Sequence, residues 1–268
     1  MSSDNKIVDF QERYRLAQEV VRKAGELALH YYRQRGSLAV ISKGVQDLVT
    51  EADKACEQMI AQSVLGEFPH DSFLGEEGGY QNPGSGIVWV VDPIDGTSNF
   101  IRGIPFWCVS LGIVNELQPV AGVIYDPVNG DFYAASIESG ARKNGQAVRA
   151  SGATSLREAT VGLGFSFRRP VSDHVRAVES CLRAHCEYCR LGSGALSLAY
   201  VSDGRLDGYW EAHMNSWDAA GGIAIVKAAG GYVSDFFAHD GLRRGNFILV
   251  AAPALAEELI AILGTEAT

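Results

Sequence analysis

The sequence predicts an α+β fold built in layers. Three observations predict it: helical patterns come in pairs, strand patterns come in runs, and the two do not alternate as strict βαβ units. The 268 residues are 47% apolar and 21% charged, so a core of ordinary size can be buried. A shift in composition near residues 150–158 divides the chain into an N-terminal half, 1–150, and a C-terminal half, 151–268. Both carry helices and strands, and together they form one compact unit.

The first helix is expected over residues 8–35, where Leu16, Val20, Val21, Leu27 and Tyr31 recur at helical spacing with polar residues between them. Residues 37–47 are polar and follow Gly36, so they read as a loop. A second helix follows over 51–65, with Thr50 as its cap and Asp53 at the third helical position. After Pro69 the pattern changes to short apolar runs bounded by Gly, Pro and Asn. Strands are expected at 72–74, 87–91, 107–115, 120–125, 131–135 and 160–165, with Asp-Pro-Val-Asn-Gly at 126–130 as a hairpin turn. Helices are expected at 171–184 and 193–202, a strand at 206–211, and a helix at 216–229 ended by Gly230 and Gly231. A strand at 247–251 and a helix at 253–263, opened by Pro253, close the chain.

Composition narrows the function. No segment approaches the ~20 unbroken apolar residues of a membrane helix, and residues 1–10 lack a signal-peptide apolar stretch, so a cytoplasmic protein without a membrane is expected. The net charge of −9 disfavours nucleic acid, whose phosphate backbone needs a basic patch. Five cysteines, an odd number, argue against a disulfide framework.

The strongest chemical signal is the run from Trp89 to Phe100, WVVDPIDGTSNF. An apolar strand ends in Asp92. Pro93 turns the chain, so Asp95 swings back toward the same point, with the carbonyl of Ile94 between them. Carboxylates, a carbonyl and water are the ligand set of Mg²⁺. Gly96 and Thr97 then open a helical turn whose backbone N–H groups can receive a phosphate. Two more acidic elements suit the same site. Glu76 and Glu77 sit in a glycine-rich turn after a short strand, and Asp218 stands in the first turn of an apolar helix. An isolated Asp-Gly is usually a turn, a Glu-Glu pair usually solvated, and an acid at a helix start usually a cap. All three in one chain, each beside a strand or helix signal, argue for shared chemistry. A cation would also cancel the acidic field around an anionic substrate.

These motifs resemble the inositol monophosphatase family, within the wider group of lithium-sensitive, metal-dependent phosphatases. The resemblance runs from Lys43-Gly44 and the DLVTEAD of residues 47–53, through GEEGG and WVVDPIDGTSNF, to GYWEAHMNSWDAAGG at 208–222 and the closing helix. It implies an α/β/α/β/α sandwich of the inositol monophosphatase and fructose-1,6-bisphosphatase type. It also implies two to three Mg²⁺ ions per site. Glu76, Asp92 and the Ile94 carbonyl would hold the first; Asp92, Asp95 and Asp218 would hold the second; a third, weaker ion would lie near Glu76. Gly96 and Thr97 would bind phosphate. Thr97, supported by Asp53, and Glu76 would orient the attacking water. Gly192, Ser193, Gly194 and Glu211 would meet the polyol hydroxyls, beside Asp95 and Asp218. Lys43 matches a loop residue near the metals, and a homodimer is implied. The activity implied is hydrolysis of a small polyol or sugar phosphate monoester by a metal-activated water, with inositol 1-phosphate favoured by Asn99-Phe100 and by the spacing of Glu211 from Asp218. Fructose 1,6-bisphosphate, 3′-phosphoadenosine 5′-phosphate and histidinol phosphate are the alternatives within the group. A non-catalytic metal-binding or regulatory protein is the alternative outside it. Ala212 to Asn215 has no generic meaning, which bears on polyol specificity.

Other features compete. Cys181, Cys186 and Cys189, with His185 adjoining, offer a zinc or iron–sulfur reading, although no fourth ligand is local and the thiols fall where cysteine serves as a small apolar residue. The six histidines read as structural or surface, with His213, two residues after Glu211, the one that could lie at the mouth of the site. Trp89, Trp107, Trp210 and Trp217 are expected in the core. Arg168-Arg169 and Arg243-Arg244 read as solvated pairs, the former also able to reach a substrate in a neighbouring subunit.

Overall fold

The computed structural model describes residues 3–38, 40–44, 47–81, 84 and 86–264. The chain opens with α1 (Ser3–Arg33), then a β-hairpin of β1 (Val40–Gly44) and β2 (Asp47–Thr50), and α2 (Glu51–Glu67). There follow β3 (Ser72–Gly75), β4 (Gly79–Gln81), β5 (Ile87–Asp95), α3 (Thr97–Arg102), β6 (Cys108–Asn115), β7 (Gln118–Asp126), β8 (Asp131–Ser136), β9 (Gly140–Lys143) and β10 (Gln146–Ala147). The second half contains β11 (Thr160–Leu163), α4 (Val171–Arg183), β12 (Glu187–Cys189), α5 (Gly194–Ser202), β13 (Gly208–Met214), α6 (Ser216–Ala228), β14 (Tyr232–Val233), α7 (Gly241–Arg244), β15 (Asn246–Ala251) and α8 (Ala256–Leu263).

Two large sheets organise these elements. The first has the order β10-β9-β8-β7-β6-β5-β3-β4 and the second β12-β11-β13-β15-β14. Helices α1 and α2 pack together on one face of the first sheet, with Val20, Val21, Ala24, Cys56 and Ile60 buried against Trp89, Trp107 and Leu111. Helices α5 and α6 lie between the sheets, and α4 and α8 cover the outer face of the second. The result is the α/β/α/β/α layering that the resemblance implied. Trp89 and Trp107 are fully buried and Trp210 nearly so, while Trp217 is only partly buried.

Helix α6 can lie this close to the first sheet because both sides lack bulk. A Cβ on Gly122 of β7 would collide with the carbonyl oxygen of Gly221, and one on Gly112 of β6 would meet the Ala220 methyl. The close approach fixes where the N-terminus of α6, and so Asp218, stands relative to β5.

The sequence reading differs at residues 37–47, where the loop is instead mostly hairpin: Ile41 pairs with Val49 and Ser42 with Leu48. This ribbon joins neither large sheet. Ile41 is half exposed while Val49 is buried, so the ribbon's apolar residues do not face one common core. The remaining expected elements form with small boundary shifts. Gly230 adopts φ +82° as the left-handed cap of α6, and Gly231 N–H donates to the Val226 carbonyl at 2.9 Å.

Candidate active site

Three carboxylates converge where the two halves meet. Asp92 and Asp95 end β5, and Asp218 stands in the first turn of α6; one oxygen of each lies within 4.8 Å of the others. Pro93 does not end the strand as expected: β5 runs on through Asp95 with a register shift between Asp92 and Asp95, where the Ile94 N–H donates to Asp92 Oδ1 at 2.9 Å. Asp95 is held from the far half of the chain: its Oδ2 accepts from the Ser193 hydroxyl and, at 2.7 Å, from the Ala195 N–H at the start of α5. Asp218 Oδ2 accepts from the backbone N–H and the side-chain amide of Asn215, both at 3.3 Å.

Electrostatics describe what this trio lacks. Burial, then the charges of Glu76, Asp95 and Asp218, holds Asp92 well above the usual carboxylate range. Burial and the Asp218 charge push Asp95 up to about 7, against the pull of Ser193, Ala195 and Gly194. Asp218 is also raised by burial, with Asp92, Asn215 and the Arg168 charge opposing. Carboxylates massed in this way take up protons or a cation. Every donor is oxygen and the Ile94 carbonyl lies between the two aspartates of the turn, so the set fits a hard divalent ion such as Mg²⁺.

Around the trio stand the other expected residues. Glu76 follows β3, its N–H donating to the Val91 carbonyl at 3.2 Å, and its charge reaches Asp92. Thr97 begins α3; its hydroxyl lies 3.0 Å from the Ile94 carbonyl and 3.4 Å from Asp53 Oδ1. Asp53 serves twice. Its Oδ2 accepts from the Thr50 N–H and hydroxyl at 2.8 and 2.7 Å, capping α2, while Oδ1 faces Thr97. Gly96 has φ +95°, and a Cβ there would crowd the Phe106 and Gly192 carbonyls and the Ser193 side chain. The Gly96 turn and the 192–194 segment therefore rest on each other. Asn99 ties them together, donating at 2.8 Å to both the Phe106 and Leu191 carbonyls. Glu211, partly buried, accepts from the Tyr209 hydroxyl at 2.6 Å, and burial, with the charges of Asp218 and Asp95, pushes it up to about 8.

The profile of the inositol monophosphatase family matches residues 9–267. The chain belongs to that family. It is therefore a phosphatase of the inositol monophosphatase family. It is 37% identical over 227 residues to the Nus factor SuhB of Xylella fastidiosa, covering 84% of this chain and 82% of that one. It resembles the solved structure of the extragenic suppressor protein SuhB of Bartonella henselae with a TM-score of 0.86 and 32% identity, over 93% of this chain and 97% of that one. The inositol monophosphatase of Anabaena sp. PCC 7120 matches with a TM-score of 0.82 and 30% identity, over 95% of this chain and 96% of that one.

Within this family fold, the structure places the remaining sequence candidates as follows. The side chain of Lys43 lies outside the described residues. His213 pairs through Nε2 with the Arg244 carbonyl at 2.9 Å. The three C-terminal cysteines do not converge: Cys181 and Cys186 face the outer core of the second sheet, whereas Cys189 packs toward the inner one. Among the described residues, the group of His, Cys, Asp and Glu arranged to hold a metal is the aspartate trio. No described helix is long and apolar enough to cross a membrane.

Sequence reasoning missed two supports. Glu57 accepts from the N–H groups of Glu77 and Gly78 at 2.8 and 2.6 Å and so holds the turn that carries Glu76. Its position four residues after Asp53, on the same face of α2, was the available signal. Asn215 was the other; its three-residue spacing from Asp218 is that of a capping box.

Proposed function

We propose that the protein hydrolyses a small polyol or sugar phosphate monoester with Mg²⁺, inositol 1-phosphate being the preferred substrate. The observation that carries this reading is the buried aspartate trio, whose members are held above the ordinary carboxylate range and which stands beside a Gly96–Thr97 turn opening a helix.

Glu76, Asp92 and the Ile94 carbonyl would hold one ion, and Asp92, Asp95 and Asp218 a second, with a third near Glu76. Bound there, Mg²⁺ supplies positive charge to the phosphate oxygens and to the departing alkoxide, and acidifies water. The chain supplies the rest. Backbone N–H groups of Gly96 and Thr97, in the first turn of α3 where helix donors lack intrahelical acceptors, receive a phosphate oxygen. The Thr97 hydroxyl, with Asp53 Oδ1 3.4 Å away, keeps lone pairs toward the attacking water; as it takes the water's proton it passes its own to Asp53, and Glu76 aligns that water from the other side. Asp53, raised by burial, is the acceptor behind Thr97. Glu211 and the 192–194 segment line the side where the alcohol leaves, where the Glu211 carboxyl can meet a substrate hydroxyl. Phosphate monoester hydrolysis is among the slowest uncatalysed reactions, so this positioning and charge must together lower the barrier by many kcal/mol.

The test is phosphate release from inositol 1-phosphate, fructose 1,6-bisphosphate, 3′-phosphoadenosine 5′-phosphate and histidinol phosphate, with Mg²⁺, with chelator and with Li⁺. Chelator-sensitive turnover with inositol 1-phosphate preferred supports the reading; preference for another ester reassigns the substrate. No turnover of any ester by folded, Mg²⁺-loaded protein overturns it.

A homodimer belongs to the same proposal. Phe167, Val171, Val175 and Leu182 are each more than half exposed along α4 and the loop before it, at a spacing that places the last three on one helical stripe. That surface, together with relatives described as Nus factors, also supports a second reading in which a protein partner is bound. Mass measurement in solution separates them: a monomer that turns over substrate favours a partner other than a second copy.

A further inference from the structure

We propose that Arg168 is a positioning residue for the metal site, acting through Asn215 on Asp218. The proposal rests on the metal reading of the aspartate trio. As a sequence, Arg168-Arg169 looks like a solvated pair or an arm toward a neighbouring subunit. In the fold its guanidinium Nη1 donates to Asn215 Oδ1 of its own chain at 2.6 Å.

Asn215 has a side-chain amide with two unlike ends. Its Oδ1 is claimed by Arg168, so Nδ2 must face the other way, and there it donates to Asp218 Oδ2 at 3.3 Å. The Asn215 backbone N–H reaches the same oxygen at 3.3 Å. Both donors thus fall on Oδ2, leaving Asp218 Oδ1 for an ion. With Arg168 removed, the amide keeps only its capping-box contacts with Asp218 and is held in that orientation less firmly. A flipped amide would set its carbonyl oxygen against the carboxylate and turn an attraction into a repulsion.

The loop that carries Arg168 is itself pinned. The Arg168 N–H donates to Ser166 Oγ at 3.3 Å. Phe165 packs edge-on against Phe167 and His174, at ring separations of 4.7 and 5.4 Å. His174 Nδ1 lies 2.9 Å from the Gly164 carbonyl, and Arg169 reaches Asp173 at 3.4 Å. An exposed guanidinium is therefore delivered to one place by a built turn. Groups that orient a ligating carboxylate from outside typically change metal affinity by about 10- to 100-fold when removed; an exposed one should fall at the low end.

The experiment is calorimetric titration of the full chain with Mn²⁺ and with Mg²⁺, without substrate, for wild type, R168A, R168K, N215A and R168A/N215A. The melting temperature of each metal-free protein serves as the folding control. The expected result is about tenfold weaker binding by R168A, an intermediate value for R168K, and a double variant no weaker than N215A alone. Metal-free melting should be nearly unchanged in R168A, because the side chain is exposed. Wild-type affinity in R168A, or additive losses in the double variant, overturns the proposal and leaves the metal reading standing. A wild-type protein that binds neither ion overturns both. Metal affinity unchanged in R168A but with a raised KM for one phosphate ester also overturns it, by making Arg168 a substrate contact.

Discussion

Asp95 Oδ2 accepts a hydrogen bond from the backbone N–H of Ala195, 2.7 Å away in space and 100 residues away in sequence. One end of that bond belongs to the first sheet's longest buried strand and the other to the helix layer between the sheets. The site is thus assembled by tertiary docking, and charge accumulates where docking brings the carboxylates together.

Removing one of those charges should separate function from stability. Asp92 sits well above the usual carboxylate range because burial and three acidic neighbours oppose its ionised form. Asp92→Asn should lower turnover by two to three orders of magnitude or more, roughly the size of losing a principal electrostatic contact. The same variant should raise the metal-free melting temperature by a few degrees, about 1 kcal/mol in a domain of this size. Differential scanning calorimetry with chelator present checks the second half; a lowered melting temperature contradicts it.

Acidic groups whose folded pKa is raised bind more protons folded than unfolded. Their penalty is absent at pH values below the unfolded pKa and grows as pH rises toward the folded one. Asp95, at about 7, and Glu211, at about 8, open this window between about pH 4 and pH 8. Metal-free protein should lose stability across the window as pH rises, and saturating Mg²⁺ should flatten the slope. Urea melts at pH 5, 6, 7 and 8, with and without Mg²⁺, read both effects. Stability that rises with pH in chelator would contradict the assignment.

Asn99 bonds two carbonyls from different halves, Phe106 O and Leu191 O. Asn99→Ala leaves both without that donor in a closed part of the fold. The expected cost is about 1–3 kcal/mol of stability, with a drop in kcat/KM as Gly96 and the 192–194 segment separate. Asn99→Asp retains size but cannot donate, and should be no better. Equilibrium unfolding and steady-state kinetics on the two variants suffice.

Glu57 should matter although it lies outside the trio. Its carboxylate holds the N–H groups of Glu77 and Gly78. Glu57→Ala should slow turnover by about tenfold, the usual scale for a group that orients a ligand from behind, and should speed amide exchange at residues 76–78. Exchange rates unchanged in that turn would remove the rationale.

The elements that carry chemistry were the most legible in the sequence. The DPIDGT turn could be read because Pro93 and Gly96 punctuate a continuous apolar strand, and Asp218 because it opens an apolar helix. The layered fold was legible from paired helices and runs of strands; which face each helix covers was not, since that depends on close contacts such as Gly122 against Gly221. The β1–β2 hairpin was missed because its ribbon joins neither large sheet and Ile41 in it is half exposed. Asn215 and Arg168 were missed for another reason. The capping-box spacing of Asn215 from Asp218 is local, but the link from Asn215 to Arg168 spans 47 residues and no local spacing encodes it.

Helices α5 and α6 are sealed between two sheets, so solvent meets that layer chiefly at its ends. Both helices begin at the aspartate trio, one at Ser193 and the other at Asn215. Two peptide dipoles therefore point their positive ends at the same spot, through a medium that water and salt screen poorly along their length. The chain is strongly acidic overall, and the partial positive charge at these two helix starts is turned on the Asp95 and Asp218 carboxylates, which accept from the Ala195 and Asn215 N–H groups. Attraction of this kind needs no lysine or arginine, and is less sensitive to ionic strength than a surface basic patch.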